Sequence, residues 1–205
     1  NTPGSGGSFG ASSCGAALHD ACRKLKARLD AGEGAQGLSE IGRVEPGDDY
    51  KKYSQYAYGA HFAEVGVDVA TGEVRLRRML GVFEAGRILN AKTARSQLIG
   101  GMIWGVSSAL HEEAVLDTRF GSFVNNDLAS YHVPVHADVP EVDAVLLDAF
   151  DSHANVLGSK GVGELGICGA GAAVANAVYN ACGVRVREYP ITLDKILPDL
   201  AKQSG

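Results

Sequence analysis

The chain has 205 residues, 45% of them apolar, with a formal net charge of −5 and a pI near 5.7. That length and apolar share can bury one sizeable core, as a single domain or two closely joined lobes. The acidic balance gives no electrostatic case for nucleic acid, and no window is expected to approach the apolar length of a membrane span.

Residues 1–15, NTPGSGGSFGASSCG, form a Gly/Ser-rich lead into a helix. Over Ala16 to Leu29 the positions Leu18, Ala21, Cys22, Leu25 and Leu29 share a face, which predicts an amphipathic helix buried on that side. Ser12 and Ser13 stand where N-cap hydroxyls and free backbone N–H groups would converge on an anion. A flexible linker is the alternative reading of the same composition, and no Gly-Lys-Ser/Thr follows to make a Walker loop. The first residue is Asn rather than Met and no signal segment is visible. The sequence therefore reads as a fragment or tail of a larger chain, with cytoplasm and periplasm both open as its compartment. Cysteines 14, 22, 168 and 182 make no C-x-x-C pair and no zinc or iron–sulfur spacing, which leaves them as small buried hydrophobes.

Residues 30–55 are polar, carry Gly32, Gly34, Gly37, Pro46 and Gly47, and read as loop. A hairpin follows. Ala63, Val65, Val67 and Val69 share one strand face, Thr71-Gly72 marks the turn, and Val74, Leu76, Leu80 and Val82 share a face of the return strand. Arg78 interrupts that face and suggests a bulge. A helix is predicted from about Ala91 to Glu113, with Leu98, Met102, Val106 and Leu110 as its stripe, widened by Ile99 and Ile103. Gly100, Gly101 and Gly105 each cost about 1 kcal/mol against Ala in a helix, which points to close approach by another backbone or a bound cofactor. Gln97 lies one turn earlier, either on the surface or hydrogen-bonded within a buried helix.

Residues 114–141 look irregular, with a short turn at Leu116–Gly121. His132, His136 and Asp138 have no second cluster to complete a metal site. Val142 to Phe150 reads as a strand and Asp151–Asn155 as a polar loop. The stretch Leu157 to Gly183, LGSKGVGELGICGAGAAVANAVYNACG, joins a glycine-dense turn to a small-residue helix from about Gly171. Glu164 sits in the middle of the turn, as a helix-end charge or a catalytic group. Gly161-x-Gly163-x-x-Gly166, with Glu188 downstream, matches a dinucleotide fingerprint. The nearest strand candidate ends too early for it, and Val184–Arg187 alternates like a half-exposed strand. Pro190–Leu197 reads as a closing helix.

Three of these stretches, in order, resemble the C-terminal part of the molybdopterin-binding large subunit of the xanthine dehydrogenase and aldehyde oxidoreductase family. They are Gly10-Ala11-Ser12-Ser13-Cys14-Gly15, Arg95-Ser96-Gln97-Leu98-Ile99-Gly100-Gly101-Met102-Ile103-Trp104-Gly105, and Ser159-Lys160-Gly161-Val162-Gly163-Glu164 with Ala175-Asn176-Ala177-Val178. The likeness runs from Gly4 to Leu197 and includes Gly81–Asn90, which in the family delivers the next helix to the cofactor. It is nearest to bacterial multi-subunit aldehyde oxidoreductases. Ser159-Lys160 departs from the Ala-Arg of many aldehyde-type members.

The resemblance implies an α+β fold, the molybdenum cofactor-binding domain of the xanthine oxidase family with mixed strands and helices, across residues 1–205. It implies a molybdenum pterin cofactor, in the cytosine dinucleotide form, held by Gly10, Ala11, Ser12, Ser13, Gln97, Lys160, Gly161, Val162 and Gly163, with no protein ligand to the metal. Glu164 would be the active-site base, and Gln97 would hydrogen-bond an oxygen ligand of molybdenum. The implied reaction oxidises aldehydes to carboxylic acids with water as the oxygen source, or hydroxylates an N-heterocycle of purine or nicotinate type. Partner subunits would carry [2Fe–2S] clusters and FAD, for which this chain has no ligands. The remainder of the molybdenum subunit would complete the site, so that the chain alone is a structural half.

Overall fold

Alternating side chains at residues 58–84 build the centre of the molecule. In the computed structural model, which describes residues 4–44, 48–147 and 149–203, they form an antiparallel hairpin of β1 (Tyr58–Val67) and β2 (Val74–Glu84). Pro46 and Gly47 of the expected loop lie outside the described residues. β5 (Val142–Leu146) adds parallel to β2, giving the order β1-β2-β5. A separate two-stranded ribbon, β3 (Leu116–Asp117) and β4 (Ser122–Phe123), folds around the expected turn.

The bulge falls at Arg77, next to the residue that suggested it. Glu64 pairs with Arg78 and Val65 with Leu76, so Arg77 is the extra residue. One extra residue reverses the parity of everything after it. The buried positions of β2 are Leu76, then Met79, Gly81 and Phe83, with Glu84 at its end, and the expected Leu80 and Val82 turn to the other face. β5 also stops at Leu146, short of Phe150, and Asp148 is outside the described residues.

Among the described residues five α-helices complete the α+β architecture: α1 (Ala16–Asp30), α2 (Ala91–Leu110), α3 (Leu165–Cys168), α4 (Ala170–Cys182) and α5 (Leu193–Gln203). α2 starts on Asn90, whose Oδ1 accepts the Thr93 N–H at 3.1 Å, a cap contributing about 1 kcal/mol. It ends at Leu110 rather than Glu113. α2 lies on β2 and β5 while α4 lies on β1. Met79 and Phe83 meet Leu98, Met102 and Val106 of α2, Val174 and Val178 of α4, and Ile196 of α5. Each large side chain so buried contributes about 1.5–3 kcal/mol.

Gly101 and Gly166 let α2 and α3 touch through their backbones. A Cβ on Gly101 would lie 2.9 Å from the Ile167 nitrogen, and one on Gly166 would overlap the Leu98 carbonyl oxygen. Gly101 therefore answers to the backbone of α3, and Gly105 to Ala170, whose Cβ a side chain at 105 would overlap.

Other expectations change for lack of a packing partner. On α1 only Ala16 is buried, and the supposed inward residues Leu18 and Leu29 are exposed. Cys22 and Cys168 are exposed, Cys14 and Cys182 half-buried, and all four are free. Val184–Arg187 is extended but has no ladder partner among the described residues, and the closing helix begins at Leu193 rather than Pro190. Leu165–Cys182 does reach 18 residues at a mean hydropathy of 1.3, contrary to the sequence expectation. Gly169 breaks this stretch into α3 and α4, and α4 buries Ala170, Gly171, Val174 and Val178 in the core.

Candidate active site

One cavity of about 390 Å³ gathers residues from four separate stretches of chain. Ser8 and Ala11 come from the segment before α1, and Arg87 and Asn90 from the link between β2 and α2. Gln97 comes from α2, and Ser159, Lys160 and Val162 from the glycine-dense turn. The isolated bridge between Gly86 and Ser159 holds the last of these beside the end of β2. Ala11, Gln97, Lys160 and Val162, all expected from the sequence, thus share one wall. Ser8, Arg87, Asn90 and Ser159 sit in segments that the sequence singled out, without a residue-level signal to pick them.

Segment 7–8 joins Gln97 to the turn bearing Glu164. Gln97 donates its Nε2–H to Ser8 Oγ at 3.1 Å, and Gly163 donates its N–H to the Gly7 carbonyl at 2.9 Å. Ser8 holds φ at +56°, a left-handed conformation that costs a non-glycine residue about 1–2 kcal/mol. A Cβ on Gly7 would lie 3.7 Å from the Glu164 carboxylate, so residue 7 borders that group directly. Gln97 and Glu164 are both exposed. Of the two readings left open for Gln97, the structure takes the surface one. Glu164 occupies the N-cap position of α3 without a side-chain capping bond, so it does not act as a helix cap.

The Ser12 and Ser13 hydroxyls are not caps either. Ser12 Oγ donates to the Phe9 carbonyl at 2.8 Å, and Ser13 Oγ to the carbonyls of Phe9 and Gly10. A five-residue π-turn, Ala11–Gly15, runs straight into α1. Among the described residues, the backbone N–H groups of Gly10, Ala11 and Ser12 have no backbone acceptor, as the first donors of a helix do not.

Only half of the expected donors at 160–163 are free. Lys160 N–H goes to the Ala85 carbonyl at 2.9 Å and Gly163 N–H to Gly7, which leaves the N–H groups of Gly161 and Val162 without a backbone acceptor among the described residues. The Lys160 ammonium is also committed, at 2.7 Å from Glu84 Oε2, 3.2 Å from Asp151 Oδ2 and 3.0 Å from the Tyr56 carbonyl. Burial alone would lower its pKa, but the hydrogen bonds and charges of Glu84 and Asp151 prevail and raise it. Burial likewise pushes the Asp151 carboxyl up, and its bonds from the His153 N–H and from Lys160 bring it below its usual value. Lys160 therefore anchors the turn through its side chain.

Ser159 Oγ is the one buried side-chain polar atom without a partner among the described residues, and Ser159 is 3% exposed on the cavity wall. A buried hydroxyl left unbonded costs about 1–3 kcal/mol, and a polar ligand in the cavity would remove that cost. The orphaned hydroxyl, the Gln97 amide and the unused N–H groups suit a group rich in heteroatoms and oxyanions. The cavity also falls within the usual range of small-molecule sites, roughly 300–1,000 Å³.

No group of three or more His, Cys, Asp or Glu among the described residues could hold a metal ion directly. His132 and His136 are exposed, and Asp138 accepts the Val135 N–H instead. The dinucleotide fingerprint lacks its context, because Gly161 follows an irregular segment rather than a strand and Glu188 is exposed.

Residues 33–140 match the family described as molybdopterin cofactor-binding domain. Over 96% of its length the chain is 47% identical to the aldehyde oxidoreductase molybdenum-binding subunit PaoC of Escherichia coli K12. It is 35% identical over 72% of its length to the probable hypoxanthine oxidase XdhD of the same strain. The aldehyde oxidoreductase of Desulfovibrio desulfuricans superposes over 94% of this chain and 23% of its own, with a TM-score of 0.73 at 26% identity. The chain spans 31% of PaoC and 15% of XdhD.

Proposed function

The chain belongs to the molybdopterin-binding subunit family of the xanthine dehydrogenases and aldehyde oxidoreductases, and from that premise we propose that it forms part of the active site of an aldehyde-oxidising molybdenum enzyme. The observation that carries this reading is the shared cavity of Ala11, Gln97, Ser159, Lys160 and Val162, with its orphaned Ser159 hydroxyl. Preference for aldehydes over N-heterocycles follows the higher identity to PaoC than to XdhD. The remaining subunit residues would complete the site. Partner subunits with [2Fe–2S] clusters and FAD would take the electrons, and the pterin would be in its cytosine dinucleotide form.

In this reading the backbone N–H groups of Gly10 to Ser12, with those of Gly161 and Val162 and the Ser159 hydroxyl, would hold the pterin and its phosphates. The Ser13 N–H, expected in the same set, is instead given to the Phe9 carbonyl. When bound, a molybdenum pterin would supply Lewis acidity and take up the two electrons of the C–H bond broken at the substrate carbon, whose hydrogen leaves as a proton. Gln97 orients the reacting oxygen through its amide N–H. A carboxylate oxygen of Glu164 accepts the proton that this oxygen loses as it attacks the substrate carbon. Segment 7–8, bonded to Gln97 and bordering Glu164, lies between the two side chains, and Glu164 itself is not among the residues that line the cavity.

Substrate profiling of the purified, molybdenum-loaded complex tests the proposal. Turnover of aromatic aldehydes to carboxylic acids is expected. Turnover of purines with none of aromatic aldehydes would overturn the aldehyde assignment in favour of N-heterocycle hydroxylation.

A further inference from the structure

We propose that His61 is a positioning residue for Glu164, an inference that rests on the reading of Glu164 as the proton acceptor. No hydrogen bond or ion pair among the described residues holds the Glu164 carboxylate. Its direction is therefore set by the backbone of the turn it starts. His61, on β1, reaches under that turn: its Nε2 lies 3.0 Å from the carbonyl oxygen of Gly166. A carbonyl only accepts, so Nε2 carries the proton and the ring donates.

The ring has no freedom to leave. Its edge packs on the buried Phe83, with centroids 5.1 Å apart and planes at 77°. Its Nδ1 side meets residue 169 so closely that any Cβ there would overlap it. Gly166 also lies so near Leu98, the residue after Gln97, that a Cβ on it would overlap the Leu98 carbonyl oxygen. The turn bearing Glu164 is thus clamped between a donor on the sheet and the backbone of the helix bearing Gln97. His61 fixes the height of one proposed reacting group relative to the other. An aromatic replacement keeps the packing on Phe83 but loses the donor. Gln can return an N–H to the same carbonyl.

The test compares the assembled holoenzyme carrying His61→Phe, His61→Gln, Glu164→Gln and the His61→Phe/Glu164→Gln pair, with rates normalised to bound molybdenum. His61→Phe is expected to lower kcat about ten- to a hundredfold, the scale of a 1 Å misplacement, with KM nearly unchanged. His61→Gln should restore most of that loss. In the Glu164→Gln background His61→Phe should cost nothing further, because the group it positions is already disabled. Hydrogen exchange, read independently of activity, should quicken at residues 164–169 and stay unchanged in the β1–β2 hairpin. Gly169→Ala, which crowds the ring without deleting it, should reproduce the rate loss if His61→Phe assembles poorly. A His61→Phe enzyme with wild-type kcat beside an inactive Glu164→Gln enzyme would overturn the role of His61 alone. So would losses that multiply in the double variant. A Glu164→Gln enzyme at full rate would instead remove the premise about Glu164.

Discussion

Gly100 and Gly101 are neighbours on α2 with opposite surroundings. A Cβ on Gly100 would meet nothing within 4 Å, whereas one on Gly101 would press on the Ile167 nitrogen at 2.9 Å. Gly100→Ala is therefore expected to stabilise the protein by about 1 kcal/mol, the helix-propensity gain. Gly101→Ala should destabilise it by about 1–3 kcal/mol through overpacking. Denaturant midpoints at constant slope read both effects, and equal shifts for the two would refute the close packing of α2 on α3.

Lys160→Met removes the cation between Glu84 and Asp151. The Lys160 and Glu84 side chains are 12% and 8% exposed, so the buried carboxylate is left uncompensated, at a cost of about 3–5 kcal/mol. The pH dependence has a definite sign. The folded-state pKa of Lys160 is raised above its usual 10.5, so its contribution is complete below that value and drains as pH climbs through the folded value. The folded-state pKa of Asp151 is lowered below 3.8, so its contribution is complete above that value and is lost as pH falls through the folded one. Unfolding free energy measured against pH should show the alkaline decline in the wild type and a weaker one in Lys160→Met.

Ser159→Ala separates ligand binding from folding. Deleting an unbonded buried hydroxyl should leave stability unchanged or raise it by about 1 kcal/mol. Pterin and molybdenum content of the assembled enzyme should fall. Unchanged content in Ser159→Ala would show that the hydroxyl does not face the cofactor.

Glu164→Gln keeps the size of the side chain but cannot take a proton at neutral pH. Turnover per bound molybdenum should drop about 10²–10⁴-fold with content preserved. Gln97→Ala should likewise lower turnover more than content. Retention of more than about a tenth of the wild-type rate in Glu164→Gln would remove it from the mechanism.

The sequence was most readable where a local rule acts alone. The Thr71-Gly72 turn and the Leu98–Met102–Val106 stripe appear in the structure as written, whereas Val69 lies exposed beyond the end of β1. Parity beyond Arg77 was not readable, because a bulge is invisible until its partner strand is known. Leu18 and Leu29 show the same limit, since periodicity marks a face without saying what covers it. At the site, Gln97, Lys160 and Val162 line one cavity, as their stretches suggested, whereas which backbone donors stay free was not readable. Gly163 gives its N–H to Gly7 and Lys160 gives its own to Ala85, and no local pattern encodes such pairings.

The bond from Gln97 to Ser8 spans 89 positions of sequence, while the hairpin beside it closes through a turn of a few residues. Loop-closure entropy must be met before distant contacts return any stability. The hairpin and α2 can therefore assemble early, and the cavity is completed only when residues 8–11 and the turn at 159–162 arrive beside them. Maturation has an order built into it: the scaffold stands before the receptacle is finished, and mild destabilisation opens the receptacle first.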